Sequence, residues 1–223
     1  MRAWVGLVIA AVAIVATGCA GYPPTQEPST AVSTTAGATL ATLATVPVKG
    51  RAAMTGYSSQ EAFWGMWATP DGVDTNCDTR NYVLDRDLTS VTKKAGSNCL
   101  IQTGTLTDPY TGQVIDFVRA GGAGHDGGVQ IDHVVARGNA WATGGFAWTP
   151  AQRNAFANDP LDLLAVSSTA NQQKGDGDAA TWLPANKSFR CQYVTIQVQV
   201  KATYGLWMTQ AEHDAIEHIL EGC

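Results

Sequence analysis

Four cysteines, Cys77, Cys99, Cys191 and Cys223, restrict the folds open to this chain more than any other feature, once its first residues are read. Met1-Arg2 supply a short positive region, and Val5 to Ala16 is an almost unbroken apolar run that closes on Thr17-Gly18-Cys19. The run is short for a bilayer-spanning helix and suits a secretory leader. The small residues before Cys19 fit cleavage after Gly18 and acylation of the cysteine, with Ala16 where an aliphatic residue is usual. Plain secretion is the competing reading. In an exported chain the four remaining thiols, an even number, favour disulfides. Cys77–Cys99 and Cys191–Cys223 are the expected pairs, because each closes a modest local loop. A thiolate metal cluster is the alternative, but no two of these cysteines have the close spacing of a zinc knuckle.

The chain then divides by composition. Residues 1–18 read as a signal peptide and residues 19–50 as a tether rich in Thr, Ala and Pro, lipid-anchored or free, with too little apolar bulk to offset the entropy of ordering. Residues 51–223 form the expected domain. With 45% apolar and 15% charged residues overall, the chain is neither disordered throughout nor fibrous. The net charge of -5 gives no broad electrostatic footprint for nucleic acid. From Thr75 to Tyr204 acidic and basic residues balance, however, so a local basic groove built from Arg80, Arg86, Arg119, Arg137 and Lys174 stays open.

Periodicity predicts a mixed set of elements. Helices are expected over 58–68 and 81–91, and strands over 99–104, 114–118 and 129–136, with a turn at Asp108-Pro109-Tyr110-Thr111-Gly112 and a Gly-rich connection around His125. Thr149-Pro150-Ala151-Gln152 starts a helix, with Thr at the N-cap and Gln three residues on. Leu161 to Ser167 is a short apolar run, followed by the polar stretch STANQQKGDGD. Between 189 and 204 a strand-like alternation of valines competes with a helical stripe through Phe189, Tyr193, Ile196, Val200 and Tyr204; the longer pattern predicts helix. Thr209-x-x-Glu212 opens the last helix.

Chemistry is best sought at Asp132-His133, a polar pair inside the apolar run VQIDHVVA. A carboxylate can hold a divalent cation while an adjacent imidazole takes a proton from water. An ion pair satisfied at a strand end fits the dipeptide equally. Downstream, Asn171 offers an oxygen ligand and Lys174 a point charge for phosphate, although composition alone reads this stretch as an ordinary solvated loop.

The segments QIDHVVARGNAW, WTPAQRNAFANDPLDLLAVSSTANQQKGDGDAATWLP, FRCQYV and KATYGLWMTQAE, preceded by NCDTRNYVLDRDL and GTLTDPYTGQVIDFVRA, together resemble the exported bacterial branch of the HNH, or His-Me finger, endonuclease superfamily. The resemblance runs from Asn76 to Cys223. It implies an α+β fold, a small mixed domain around a ββα-metal core in which two strands and a helix hold one divalent cation, Mg²⁺ or Mn²⁺. On this chain His133 matches the general base, Asp132 the metal-binding carboxylate and Asn171 the second metal ligand or a positioning residue on the helix after the second strand. Lys174 matches a basic position that touches phosphate or supports the helix, and Arg86 and Arg119 are further phosphate candidates. The chain departs from the pattern at Asp162, where Asn is frequent, and at Arg137-Gly138-Asn139.

The resemblance and the leader together imply an exported, metal-dependent phosphodiesterase acting on DNA, with RNA as the other polymer. Its membrane contact would be an acyl chain on Cys19, and no protein partner is implied. A catalytically weak envelope module and a metal hydrolase of another ester are the competing functions.

Overall fold

The computed structural model describes residues 29–70, 76–119 and 128–223. The leader, Cys19 and His125 lie outside them. In chain order the elements are α1 (Ser29–Leu43), α2 (Glu61–Trp64), α3 (Thr79–Asp87), β1 (Thr89–Lys93), β2 (Ile101–Thr107), β3 (Val114–Val118), β4 (Val129–His133), α4 (Arg137–Ala142), α5 (Pro150–Ala157), β5 (Leu163–Ser167), α6 (Ser168–Lys174), α7 (Arg190–Thr203) and α8 (Gln210–Glu221). The fold is mixed α+β, as expected. No helix among the described residues is long and apolar enough to cross a membrane.

Strands β1, β2 and β3 form one antiparallel meander, and β4 pairs with β5 in a separate antiparallel ribbon, His133 opposite Leu163. Ribbon residues alternate between faces. Leu163 and Ala165 therefore enter a core with Val83, Leu84, Ile101 and Phe117, whereas Val166 enters a second core with Phe156, Tyr193 and Val198. The ribbon is the wall between the two cores. Helix α6 starts at the residue after β5, where the Ser167 side chain accepts from the Ala170 amide. A strand pair running straight into a helix is thus the centre of the molecule. At Gly104 a Cβ would lie 2.7 Å from Leu88 Cδ2, so glycine lets α3 close on the meander.

Several expected boundaries move. The helix expected over 81–91 ends at Asp87, and Leu88 caps it in extended conformation, because Thr89 to Lys93 pairs with β2 instead. The helix expected over 58–68 shrinks to one turn, closed by Gly65 at φ 92°. The segment 189–204 is helical, as its aromatic stripe predicts. Thr149 and Gln152 make the full capping box of α5. At α8 only half of one forms: Thr209 accepts from the Glu212 amide, while the Glu212 carboxylate turns inward to Lys201, 2.6 Å away and equally buried.

The largest correction concerns residues 36–50. Ala36, Thr39 and Leu43 are buried along one face of α1, which packs on α7 and α8, and Val46 joins the same core. The expected tether is therefore part of the body here. Its small side chains look incapable of burial in a composition count, yet Ala36 and Thr39 at i and i+3 share one buried face with Leu43 at i+7. Beyond α1 the chain is pinned by Lys49 N–H donating to the Met208 carbonyl and Met208 N–H to that of Pro47, both at 2.9 Å. It then runs across α4 and α5, anchored by Asn158, whose side chain accepts from the Ala68 amide and donates to the Met66 carbonyl.

Both expected disulfides are present. Cys77–Cys99 ties the approach to α3 to the β1–β2 connection, and Cys191–Cys223 ties the first turn of α7 to the chain end beyond α8.

Candidate active site

Asp132 and His133 end β4, and their environments are built by other elements. Helix α5 ends at Ala157, with Asn158 as its C-cap. Its terminal residue, Ala157, has one of the carbonyls that a helix leaves unpaired, and His133 Nε2 meets it at 3.0 Å. A carbonyl can only accept, so the imidazole proton sits on Nε2 and Nδ1 retains the lone pair. The ring lies nearly parallel to two aromatic neighbours, Trp67 (6.4 Å between centroids, 14° between planes) and Phe156 (5.9 Å, 15°). Burial, then the positive charge of Arg137, lowers the His133 pKa to about 3, with Lys174 acting in the same sense and the Ala157 carbonyl opposing. The imidazole is neutral throughout the physiological range, the form that can accept a proton.

Asp132 is also buried. One carboxylate oxygen accepts from the Lys174 ammonium at 3.0 Å and the other from the Tyr110 hydroxyl at 2.5 Å. Burial raises the Asp132 pKa, and Lys174 and Tyr110 partly offset the rise. Tyr110 sits in the β2–β3 turn, which Asp108 fastens to the ribbon by accepting from the Ser167 amide at 3.0 Å. Sequence reasoning read this stretch as a turn by composition and missed the tyrosine; an aromatic residue inside a polar turn was the available signal.

Asn171, half-buried on α6, donates from its amide nitrogen to Gln130 Oε1 at 3.0 Å. Its side-chain oxygen, Oδ1, accepts no hydrogen bond among the described residues. Asp132, His133 and Asn171 line one cleft of about 410 Å³, whose rim carries Tyr57, Arg137 and Asp176. A smaller cavity of about 100 Å³, bounded by Glu61, Gly65 and Trp67, lies beside it and shares His133 and Arg137. The segment 57–67 thus walls the site. Gly138 holds the opposite rim: its amide donates to Asp176 at 3.2 Å, and a Cβ there would stand 2.3 Å from that carboxylate.

The expected phosphate residues lie elsewhere. Lys174 is 3% exposed and engaged by Asp132 and by the His133 carbonyl at 2.7 Å, so it supports the helix and the ribbon instead of meeting a ligand. Arg86 donates to the Pro160 and Leu163 carbonyls and pairs with Asp87, cross-linking α3 to the start of β5. Arg119 donates to the Ile101 carbonyl and Asn81 within the meander region. The basic groove does not converge. Linear sequence could not reveal this, because Lys174, Arg86 and Arg119 are captured by acceptors distant along the chain. At the departure Asp162, the carboxylate still accepts from the Val135 amide at 2.7 Å, and burial pushes its pKa well above the usual carboxylate range.

In donor chemistry the cleft suits a hard cation: the Asp132 carboxylate and the unpaired Asn171 side-chain carbonyl are both oxygen ligands facing one space. Lys174 is a competitor on one Asp132 oxygen, and the second lone pair of each oxygen leaves room for a further partner.

Residues 78–219 match the family model described as GmrSD restriction endonucleases, C-terminal domain. Across nearly its whole length the chain is similar to an "Uncharacterized secreted protein" of Arthroderma benhamiae, 35% identical over 220 residues and covering 97% of both chains. That relative is fungal, so the similarity reaches outside the bacterial branch expected from the motifs. No solved structure matches.

Proposed function

Because the chain belongs to the family of the GmrSD restriction endonuclease C-terminal domain, we propose that it is an exported endonuclease that hydrolyses phosphodiester bonds of DNA with His133 as general base. The observation that carries this reading is the placement of His133, its Nε2 tied to the Ala157 carbonyl, beside Asp132 and Asn171 in one cleft. In the reaction, Nδ1 of His133 takes a proton from water as its oxygen attacks phosphorus, and the ester oxygen departs. The Ala157 carbonyl and the two neighbouring rings keep the imidazole in one orientation while it gains charge. Asp132 and Asn171 would hold a divalent cation, Mg²⁺ or Mn²⁺, which when bound supplies Lewis-acid stabilisation of phosphate charge. Lys174 and Tyr110 orient the Asp132 carboxylate.

Export is supported by the apolar leader, by the two disulfides and by the secreted character in the name of the Arthroderma relative. Acylation of Cys19 belongs to the same proposal. Cys19→Ser should release the protein from the membrane fraction, and equal retention of both forms would refute anchoring.

The test is cleavage of supercoiled plasmid by the full chain with Mg²⁺ or with EDTA, alongside His133→Ala. Nicking that EDTA abolishes and His133→Ala reduces by ~10²–10⁴-fold is expected. Wild-type protein that binds DNA without nicking it under any divalent cation would favour the binding module, which the close engagement of Asp132 by Lys174 and Tyr110 also fits.

A further inference from the structure

We propose that Arg137 is the residue that grips the substrate phosphate beside His133, an inference that rests on the nuclease reading above. Three observations converge on it. Arg137 is the only Lys or Arg among the described residues lining the two cavities that share His133. It is half-exposed, and no hydrogen bond or ion pair among the described residues engages its guanidinium, in contrast to Lys174, Arg86 and Arg119. Its charge is also felt on both sides of the cleft, by His133 and by the half-buried phenol of Tyr57, which lies under the opposing influence of Asp176.

A guanidinium suits this position for chemical reasons. Its planar fork presents paired N–H donors that match two oxygens of a phosphodiester, and it keeps its charge next to a base that must stay neutral. The backbone fixes its origin: Arg137 is the first residue of α4, four residues beyond His133 and directly before Gly138, whose amide is tied to Asp176. A phosphate held at Arg137 therefore lies within the space that the His133 imidazole borders. The overall acidity of the chain ceases to be an obstacle, because one correctly placed cation replaces the missing groove. Binding is then expected to be weak and only mildly salt-dependent, as for a protein that neutralises few phosphates.

The test separates this role from the function it serves. In the full chain carrying His133→Ala, binding of a labelled 12-nucleotide single strand is followed by anisotropy in EDTA at several salt concentrations. Adding Arg137→Gln should weaken binding about tenfold and lower the slope of log affinity against log salt by ~0.7, the share of one single-strand phosphate. Arg137→Lys should retain most of that slope. In the protein with His133 intact it should still cleave more slowly, with the loss in kcat, because a point charge cannot reproduce the fork. An unchanged slope in Arg137→Gln, with plasmid cleavage by the wild type intact, would overturn the role of Arg137 alone. No strand binding and no wild-type cleavage would overturn the nuclease reading with it. Because the Arg137 guanidinium makes no hydrogen bond among the described residues, neither variant should shift the unfolding midpoint; matching losses of stability and binding in both would make the residue structural and refute the proposal.

Discussion

The buried imidazole makes a quantitative prediction about acid. His133 titrates near 6.5 in an unfolded chain and at about 3 in the folded one. Below pH 6.5 the unfolded state therefore binds a proton that the folded state refuses, and stability must fall as pH falls. The contribution is complete above pH 6.5 and is lost progressively down to about pH 3. Between pH 7.5 and 5.0, the unfolded-state proton is worth about 2 kcal/mol, at 1.36 kcal/mol per pH unit over the last unit and a half. Asp132 and Asp162 act with the opposite sign, since their raised values favour the folded state as pH drops. A non-titrating replacement isolates the histidine. Urea unfolding of wild type and His133→Asn, each at both pH values, yields two changes in stability, and their difference is the quantity sought. His133→Asn lowers stability at both pH values; only the difference between the two changes matters. Wild type should lose about 2 kcal/mol more than the variant on acidification. Equal losses would show that the imidazole is solvated or already protonated, and would remove the neutral base from the mechanism.

Other perturbations act on particular contacts. Lys174→Met leaves the Asp132 carboxylate buried without its counter-ion, so unfolding free energy should drop by roughly 3–5 kcal/mol, measured by urea titration. Asp162→Asn should stabilise the fold at neutral pH and above, with the gain growing as pH rises, since a carboxyl whose pKa is raised in the folded state opposes folding once it must ionise; a gain that shrinks with pH would contradict this. Leu43→Ala should lower stability by roughly 2–5 kcal/mol, because α1 is part of the core, whereas a free tether would lose nothing. Replacing Cys191 and Cys223 together opens a loop of 32 residues and should lower stability by roughly 3–4 kcal/mol in the chain-entropy account.

Much of the architecture was legible because its signals are local. The Thr149–Gln152 capping box, the aromatic stripe from Phe189 to Tyr204 and the cysteine spacings each express a constraint satisfied within a few turns or one loop. The motif segments also pointed to Asp132, His133 and Asn171 as neighbours, and the ribbon with α6 brings them to one cleft. What escaped was long-range. Whether Lys174 meets solvent or Asp132 depends on a partner 42 residues away, and the Tyr110 hydroxyl reaches Asp132 across 22. The wall formed by Tyr57 and Trp67 comes from a segment with no motif of its own. Helix α1 escaped for another reason: Ala36 and Thr39 carry little hydrophobic weight, so Leu40 and Leu43 stand in a stretch whose composition reads as a tether.

The docking of α1 also limits how far the domain can travel. From Cys19 to Ser29, where the helix begins, ten residue steps can span at most about 35 Å even when fully extended. If Cys19 is acylated, that reach is little more than the hydrocarbon thickness of a bilayer, about 30 Å. The domain would then patrol a layer only slightly deeper than a bilayer is thick, turning over against the lipid headgroups instead of sweeping the medium. Polymer far from the cell would be invisible to it, while strands lying along the surface, or threading through it, would meet the cleft repeatedly.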